Sequence, residues 1–442
     1  LIVTSDDQDL DVYIIDGTSM QDIVTQFRAM IGRSYIPPKW AFGYHQSRWF
    51  YKTEDDFREI AKKYQEAKIP LDAIYMDIDY MDEYSSFTIN RKNLPNFEGL
   101  VSEMKEQGIH LVPIIDAGIK VKPGYNIYEE GVKGNHFCKD ANGNDFKCGV
   151  WPGYCHLVDV LNDEHRKWFG DQYKFLLDKG IDGIWNDMNE PSIFYTDERL
   201  NEAYEMVDRL RGSELDLQTY FGMRKKFSTL SSNPKDYQLF YHDINGKKVR
   251  HDKVHNLYGY NLSRAAGEAF ERMSPDKRIL FFSRSSMIGM HRYSGIWTGD
   301  NHAWWSHLKL SIHQMPNINM CGFLYTGSDI GGFGSDTNEE LMTRWVEFGI
   351  FTPLMRNHSQ SRRAQELYVF NHTETFKNLV ELRYALIPYL YSEFVKAALN
   401  NDSYFKPLSF VYEDDARTYN IEDQLMVGES IMIVPVYEQN CR

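Results

Sequence analysis

Residues 181–192 read Ile181-Asp182-Gly183-Ile184-Trp185-Asn186-Asp187-Met188-Asn189-Glu190-Pro191-Ser192. The stretch opens as a short apolar run and delivers a carboxylate, Asp187, with Glu190 three residues on. Pro191 then ends regular pairing, because it has no N–H to donate. An apolar strand that places a charge at its C-terminal end is how a parallel α/β barrel presents reactive groups. Spacing alone leaves a second reading equally open, a buried strand followed by an acidic surface loop.

Working outward, strand and helix patterns alternate along the chain, which is the signature of a parallel barrel. Trp40 to Ser47 reads as the first strand, Asp72 to Asp77 as the second and His110 to Asp116 as the third, with the quoted stretch as the fourth. Arg278 to Arg284, Gly295 to Asp300, Gly322 to Asp329 and Phe348 to Arg356 supply the remaining four. Between them lie helical patterns. Thr18 is expected to cap a helix reaching Gly32. Thr53 is the expected N-cap of another, whose first turn carries Glu54, Asp55 and Asp56 where the helix dipole favours anions. Phe57, Ile60, Ala61 and Tyr64 give that helix an apolar face. A helix over 163–179 ends at Gly180, and one over 374–400 contains Pro388.

Two insertions interrupt the rhythm after strands three and four, over 120–156 and 193–256, with hairpin turns expected at Asn142-Gly143 and Asn245-Gly246. Both would lie on the C-terminal face of the barrel, where loops shape a pocket. Residues 1–16 alternate and read as a strand. From Leu425 the pattern returns to strand, with Ile431-Met432-Ile433-Val434-Pro435-Val436 lacking an evident partner. The fold class is thus α/β, a (β/α)8 TIM barrel with two insertions.

Composition narrows the function. The 442 residues are 42% hydrophobic and 25% charged, which describes a globular chain with a large core. A net charge of −14 disfavours nucleic acid or an anionic membrane as partner. No run of eighteen apolar residues occurs, so no membrane span is expected. Five cysteines, at 138, 148, 155, 321 and 441, include no Cys-x-x-Cys pair. A zinc site is therefore not expected, and reduced thiols in a cytoplasm are. Cys138 and Cys148 could face each other across a hairpin. The chain opens on Leu1 rather than Met, so the native N-terminus is expected to lie upstream.

The run Trp185-Asn186-Asp187-Met188-Asn189-Glu190-Pro191 resembles the nucleophile signature of glycoside hydrolase family 31, the α-glucosidases and their relatives. The resemblance extends over about residues 9–442. It implies a catalytic-barrel portion, residues 18–400, of a longer bacterial enzyme. Residues 1–17 would be the last strand of an N-terminal β-sandwich, and 401–442 the start of a C-terminal β-domain. It also implies retaining, exo-acting cleavage of terminal non-reducing α-linked glucose from small oligosaccharides, with no cofactor or metal.

Residue by residue, the resemblance makes Asp187 the nucleophile. It makes Asp300, in Gly295-Ile296-Trp297-Thr298-Gly299-Asp300, the acid/base. Chemistry demands such a pair: one carboxylate must attack the anomeric carbon while the other carries a proton, at a separation of about 5–5.5 Å. Asp77 is expected to bind the far hydroxyls of the terminal sugar, with Asp79 and Asp82 as alternatives. Arg284 lies beside the acids, and could equally bridge two strands. His358 would bond a ring hydroxyl. Trp185, Trp297, Ile78, Ile119, Met188 and Phe333 would wall the first subsite, although core packing explains such residues as well. Asp116, Asp329 and Glu190 are expected to support them. Trp49, after Gln46-Ser47-Arg48, would narrow the next subsite and favour α-1,6 linkages. Other activities of the family remain open, namely α-xylosidase, transglucosylase and α-glucan lyase. So does a carbohydrate-binding pseudoenzyme or inactive fragment. The oligomeric state is not readable.

Overall fold

In the computed structural model, residues 10–441 are described. Eight parallel strands form the barrel: β1 (Tyr44–Gln46), β2 (Ala73–Met76), β3 (His110–Asp116), β4 (Gly183–Asp187), β5 (Leu280–Ser283), β6 (Gly295–Trp297), β7 (Thr326–Gly327) and β8 (Met355–Asn357). Pairing runs in chain order from β1 to β7, and β8 pairs with β1. The gap between β7 and β8 is crossed by the backbone bonds Leu354 N to Thr326 O, 3.2 Å, and Ile330 N to Arg356 O, 3.0 Å. The cylinder has no open edge there, which removes a liability of exposed strands.

Every barrel strand was anticipated, and most are shorter than their apolar runs. Apolar residues continue into turns and helices that also pack on the barrel. Lys39–Phe42 is a 3-10 turn before β1, and Phe348 lies in the helix Glu339–Gly349 rather than in β8. Asp300 follows β6 in a loop, three residues past its last paired residue.

Local chemistry explains the helices. Thr53 and Asp56 form a reciprocal capping box at the start of Glu54–Glu66, whose buried face is Phe57, Ile60, Ala61 and Tyr64. The first helix, Met20–Ile31, is capped by Ser19, not Thr18. Thr18 bonds Asp22 instead. The pattern over 163–179 splits into Asp163–Asp171 and Lys174–Leu177, and Gly180 ends it at φ +87°. The last barrel helix, Thr373–Asn400, continues through Pro388.

Two further expectations need correction. Residues 10–17 form no strand and are largely exposed, with Ile14 90% accessible, while residues 1–9 lie outside the described region. Ile431–Ile433 does have a partner: it pairs with Leu425–Val427, which pairs with Phe405–Pro407, all antiparallel.

Both insertions sit where the sequence put them. The first adds a three-stranded antiparallel sheet, with Gly153–Leu157 between Gly118–Lys120 and Lys147–Val150. The second carries the helices Asp197–Leu210 and Leu217–Ser228, then a hairpin. That hairpin pairs Ile244 with Lys247 around Asn245 (φ +53°) and Gly246 (φ +79°), a two-residue turn with both central residues left-handed. Lys139 and Tyr241 exchange backbone bonds of 3.1 and 2.8 Å, so the insertions are stitched to each other. Cys148 lies opposite Cys155, not Cys138, and all five cysteines are free.

Candidate active site

The quoted stretch builds the centre of the site by simple alternation along β4. Trp185 points into the barrel and is buried. Asn186 points outward, where its Oδ1 accepts from Tyr173 Oη at 2.7 Å. Asp187 points in again at the strand's end. Met188 then takes a left-handed backbone (φ +56°), and its N–H donates to Asp187 Oδ1 at 2.8 Å. Asn189 fastens this loop to β5 through Ser283 Oγ, 2.8 Å, and the N–H of Ser285, 3.2 Å.

Arg284, just past β5, joins the acids. Its Nη1 lies 2.9 Å from Asp187 Oδ1, and its Nε and Nη2 grip Glu190 at 2.7 and 2.9 Å. Ser192 Oγ accepts from the same Nη2 at 3.0 Å and donates to Glu190 Oε2 at 2.8 Å. Arg284 thus bridges the end of β4 and the loop that follows it. A two-pronged guanidinium–carboxylate contact fixes direction as well as charge. It holds the Glu190 carboxyl below the usual range against the opposing effect of burial.

Asp300 stands across from this cluster at the mouth. Gly299 (φ +78°) turns the chain, and a Cβ there would sit 3.9 Å from Arg284 Cδ, so the Asp300 loop passes over the arginine. Asn301 anchors that loop: its Nδ2 donates to Asp329 O at 3.0 Å and its Oδ1 accepts from Phe333 N at 2.9 Å. Enclosure by the mouth raises the Asp300 carboxyl above the ordinary aspartate value, with Arg284 and Arg356 opposing. Its surface is nonetheless open to solvent, the most exposed of these acids. Asp187 is more deeply set. Burial pushes it up to about 6, Arg284 opposes that, and the charge of Asp300 adds to it. The two carboxylates therefore feel each other, and both act on Arg284.

Asp77, at the end of β2, occupies the opposite wall. Its Oδ2 is 3.8 Å from His358 Nε2, and its Oδ1 accepts from Ile78 N at 2.7 Å. Burial pushes its carboxyl up to about 8. Of the alternatives, Asp79 pairs with Lys52 at 3.0 Å and Asp82 is half exposed beside Lys122. His358 Nδ1 is 2.6 Å from Ser47 Oγ, and burial with the nearby Arg356 charge keeps the ring neutral.

Of the expected wall residues, Ile78, Trp185, Met188 and Trp297 are buried around these acids, and Phe333 stacks on His358 with centroids 5.0 Å apart. Ile119 is buried in the first insertion's sheet, three residues past Asp116. Trp49 lies at the rim, 5.4 Å from Trp151 of that insertion. Asp116 is the register partner of Asp187 on the adjacent strand. Its carboxyl is buried without a hydrogen-bond partner, and burial and the Asp187 charge push it far up.

Sequence reading missed Arg356, which lies in the same Met355-Arg356-Asn357-His358 run that singled out His358. It is fully buried on the barrel axis and bonds Asp329 at 2.5 Å. Its guanidinium carbon is 4.9–5.4 Å from the ring centroids of Trp185, Tyr75, Trp297 and Phe282. Desolvated cation–π contacts are worth about 2 kcal/mol. This aromatic box forms the floor beneath the acids. The only warning in sequence was an arginine at the end of an apolar strand. Asn301, next to Asp300, and Ser192, two residues past Glu190, were also missed.

Comparison with known proteins places the fold in a family. Residues 34–393 match the glycosyl hydrolases family 31 TIM-barrel domain, and residues 401–442 match the family 31 C-terminal domain. The chain is 38% identical to alpha-glucosidase 2 of Bacillus thermoamyloliquefaciens, over 97% of this chain and 50% of that protein. It is 32% identical to an alpha-glucosidase of Saccharolobus solfataricus, over 99% of this chain and 62% of the relative. A Flavobacterium johnsoniae family 31 dextranase complexed with glucose superposes with a TM-score of 0.82 at 27% identity, covering 96% of this chain and 49% of the dextranase. The chain thus spans about half to three-fifths of the length of these relatives. With a barrel that matches over most of its length and a C-terminal sheet that matches separately, the chain belongs to glycosyl hydrolase family 31.

Proposed function

We propose that this chain carries the catalytic centre of a retaining, exo-acting α-glucosidase that releases terminal non-reducing glucose from small oligosaccharides. The observation that carries the reading is the arrangement of Asp187, Arg284 and Asp300: one carboxylate at the end of β4, salt-bridged to Arg284, and one open carboxylate in the loop after β6 whose charge acts on the same guanidinium.

In this reading the inner acid, Asp187, attacks the anomeric carbon, and Arg284 holds its attacking geometry. The outer acid, Asp300, protonates the departing oxygen. The bond from carbon to the leaving oxygen breaks as the bond to Asp187 forms. Water, deprotonated by Asp300, then releases glucose and restores both carboxyls. Asp77 and His358 hold the far hydroxyls. The 2.6 Å contact between Ser47 Oγ and His358 Nδ1 holds the ring with Nε2 turned towards Asp77. The indole N–H groups of Trp185 and Trp297 are buried without a protein acceptor, which suits a wall facing sugar hydroxyls. Trp49 and Trp151 narrow the rim, which supports a preference for α-1,6 linkages. The unbridged cysteines support a reducing, cytoplasmic setting.

The test is a set of initial rates on maltose, isomaltose and an α-xyloside, with product analysis. Release of glucose with retained configuration, fastest from isomaltose, is expected. Xylose as the main product, or a 1,5-anhydro sugar, would replace the reading with a xylosidase or a lyase. Sugar binding without turnover would reduce the chain to a binding module.

A further inference from the structure

Away from the acids, the seam between the two insertions assembles a second cluster of donors. Cys138, Asp159 and His242 are all buried, and one donor atom from each lies within 4.8 Å of the others. They come from three separate segments: the first insertion, the turn after its central strand, and the hairpin of the second insertion. Backbone bonds hold the segments together. Cys138 N donates to Leu157 O at 2.9 Å, Asp159 N to His136 O at 2.9 Å, and Lys139 and Tyr241 pair directly beside Cys138 and His242.

We propose that Cys138, Asp159 and His242 bind one borderline-soft divalent cation of the zinc class, with a water completing the tetrahedron. The donor set is a thiolate, a carboxylate and an imidazole, which zinc accepts and which calcium or magnesium would not select. Its charge balances: one thiolate and one carboxylate neutralise a divalent ion in a buried place, where an uncompensated charge is costly. Bonds of about 2.0–2.3 Å put tetrahedral donors roughly 3.3–3.8 Å apart. His242 Nδ1 and Cys138 Sγ are already 3.6 Å apart. His242 Nδ1 and Asp159 Oδ1 are 2.6 Å apart and must open by about an ångström, the ion taking the place of the proton between them.

Three further observations fit an ion. His165 Nδ1 is buried without a hydrogen-bond partner and lies 3.9 Å from Asp159 Oδ2. The ligands are oriented from outside, as metal ligands commonly are. His242 Nε2 is 2.9 Å from His251 Nδ1, whose Nε2 is 2.9 Å from His255 Nδ1, and Asp159 Oδ2 accepts from Asp243 N at 2.7 Å. Finally, a cavity of about 250 Å³ lined by Asp159, His165 and His242 reaches the tips of both hairpins at Gly143 and Gly246, giving an entry path. The ion binds by displacing the Cys138 thiol proton. With Nδ1 of His242 on the metal, its remaining hydrogen sits on Nε2 and donates to His251. The ion staples the two insertions to each other, and this role holds whichever glycoside the barrel cleaves.

The experiment uses the full chain, stripped with a chelator, dialysed and shown to be folded by circular dichroism. Titration with Co²⁺ is expected to saturate at one equivalent, with a near-ultraviolet thiolate-to-cobalt band and the intense visible bands of a tetrahedral site. Zn²⁺ is expected to displace it and to raise Tm. Cys138→Ser should abolish the thiolate band, while Cys148→Ser keeps it. His251→Ala should weaken Zn²⁺ binding about 10- to 100-fold by freeing the His242 ring. The wild-type titration decides the matter even if a variant fails to fold. A folded wild-type chain that takes up no stoichiometric Co²⁺, or takes it up without the thiolate band, overturns the proposal and leaves the cluster as an internal His–Asp hydrogen bond only.

Discussion

Arg284 Nη1 lies 2.9 Å from Asp187 Oδ1 while the same guanidinium grips Glu190 through Nε and Nη2. One cation therefore sets the position of the inner acid and is itself set by a neighbour in the same loop. Lysine could supply the charge but not the fork. Arg284→Lys is expected to lower kcat by about 10- to 100-fold with a smaller change in KM, since a misplacement of about 1 Å can cost that much. Steady-state kinetics on a nitrophenyl α-glucoside checks it. An unchanged kcat would mean that Arg284 is only a strut.

Asp187→Asn removes the proposed attacking group without changing its shape. Turnover is expected to fall by about 10⁴-fold or more, as for loss of a member of a catalytic unit. The variant should still fold and bind substrate, which calorimetry can show. Normal hydrolysis by this variant would refute the assignment of the nucleophile.

The acid limb of the pH profile follows from Asp187. Its carboxyl is pushed up to about 6 by burial, against the pull of Arg284, and it must be ionised to attack. kcat/KM is expected to fall as pH drops through about 6, and the fall on the alkaline side to reflect loss of the raised Asp300 proton. The two limbs belong to the coupled pair rather than to single residues. A rate–pH profile flat down to pH 4 would contradict this by about 2 units.

Stability carries the opposite sign from the usual aspartate case. Burial raises Asp77 to about 8 and Asp329 to about 7, from 3.8. Between pH 4 and 8 the folded chain therefore holds protons that the unfolded chain has lost, and stability falls as pH rises through this window. Asp77→Asn should raise Tm at pH 8, by the equivalent of at least about 1 kcal/mol, and flatten the pH dependence. Under the proposed reading it should also raise KM, because the group set to face the sugar is changed. Thermal melts at pH 5 and 8 test the first part. A lower Tm at both would show that the charge is compensated.

Asn301 tests the loop that presents Asp300. It contacts Asp329 and Phe333, not the reacting atoms. Asn301→Ala is expected to lower kcat by about 10-fold and to shift the alkaline limb, because Asp300 loses its fixed environment. A change in Tm alone, with the pH profile unmoved, would make it purely structural.

The barrel was legible because its strands and helices announce themselves locally. Alternation along β4 put Trp185 and Asp187 on one side and Asn186 on the other, and Thr53 with three following acids marked a helix start. The Asn245-Gly246 turn was legible for the same reason, since few residue pairs tolerate two left-handed positions. Strand ends were less legible, because the apolar residues of 322–329 and 348–356 also pack in turns and helices. Ile431–Ile433 looked unpartnered because its neighbours are the short strands Leu425–Val427 and Phe405–Pro407, whose pairing depends on contacts distant in sequence.

The sequence by itself determined the order of elements and the two insertions, since these depend on periodicity, capping and turn chemistry. Only the tertiary structure decided that Arg284 binds Glu190 as well as Asp187, that Arg356 lies in a box of four rings, and that Cys138 meets His242 from 104 residues away. Such contacts arise when the cylinder closes and the insertions dock. No period of 2 or 3.6 residues encodes them.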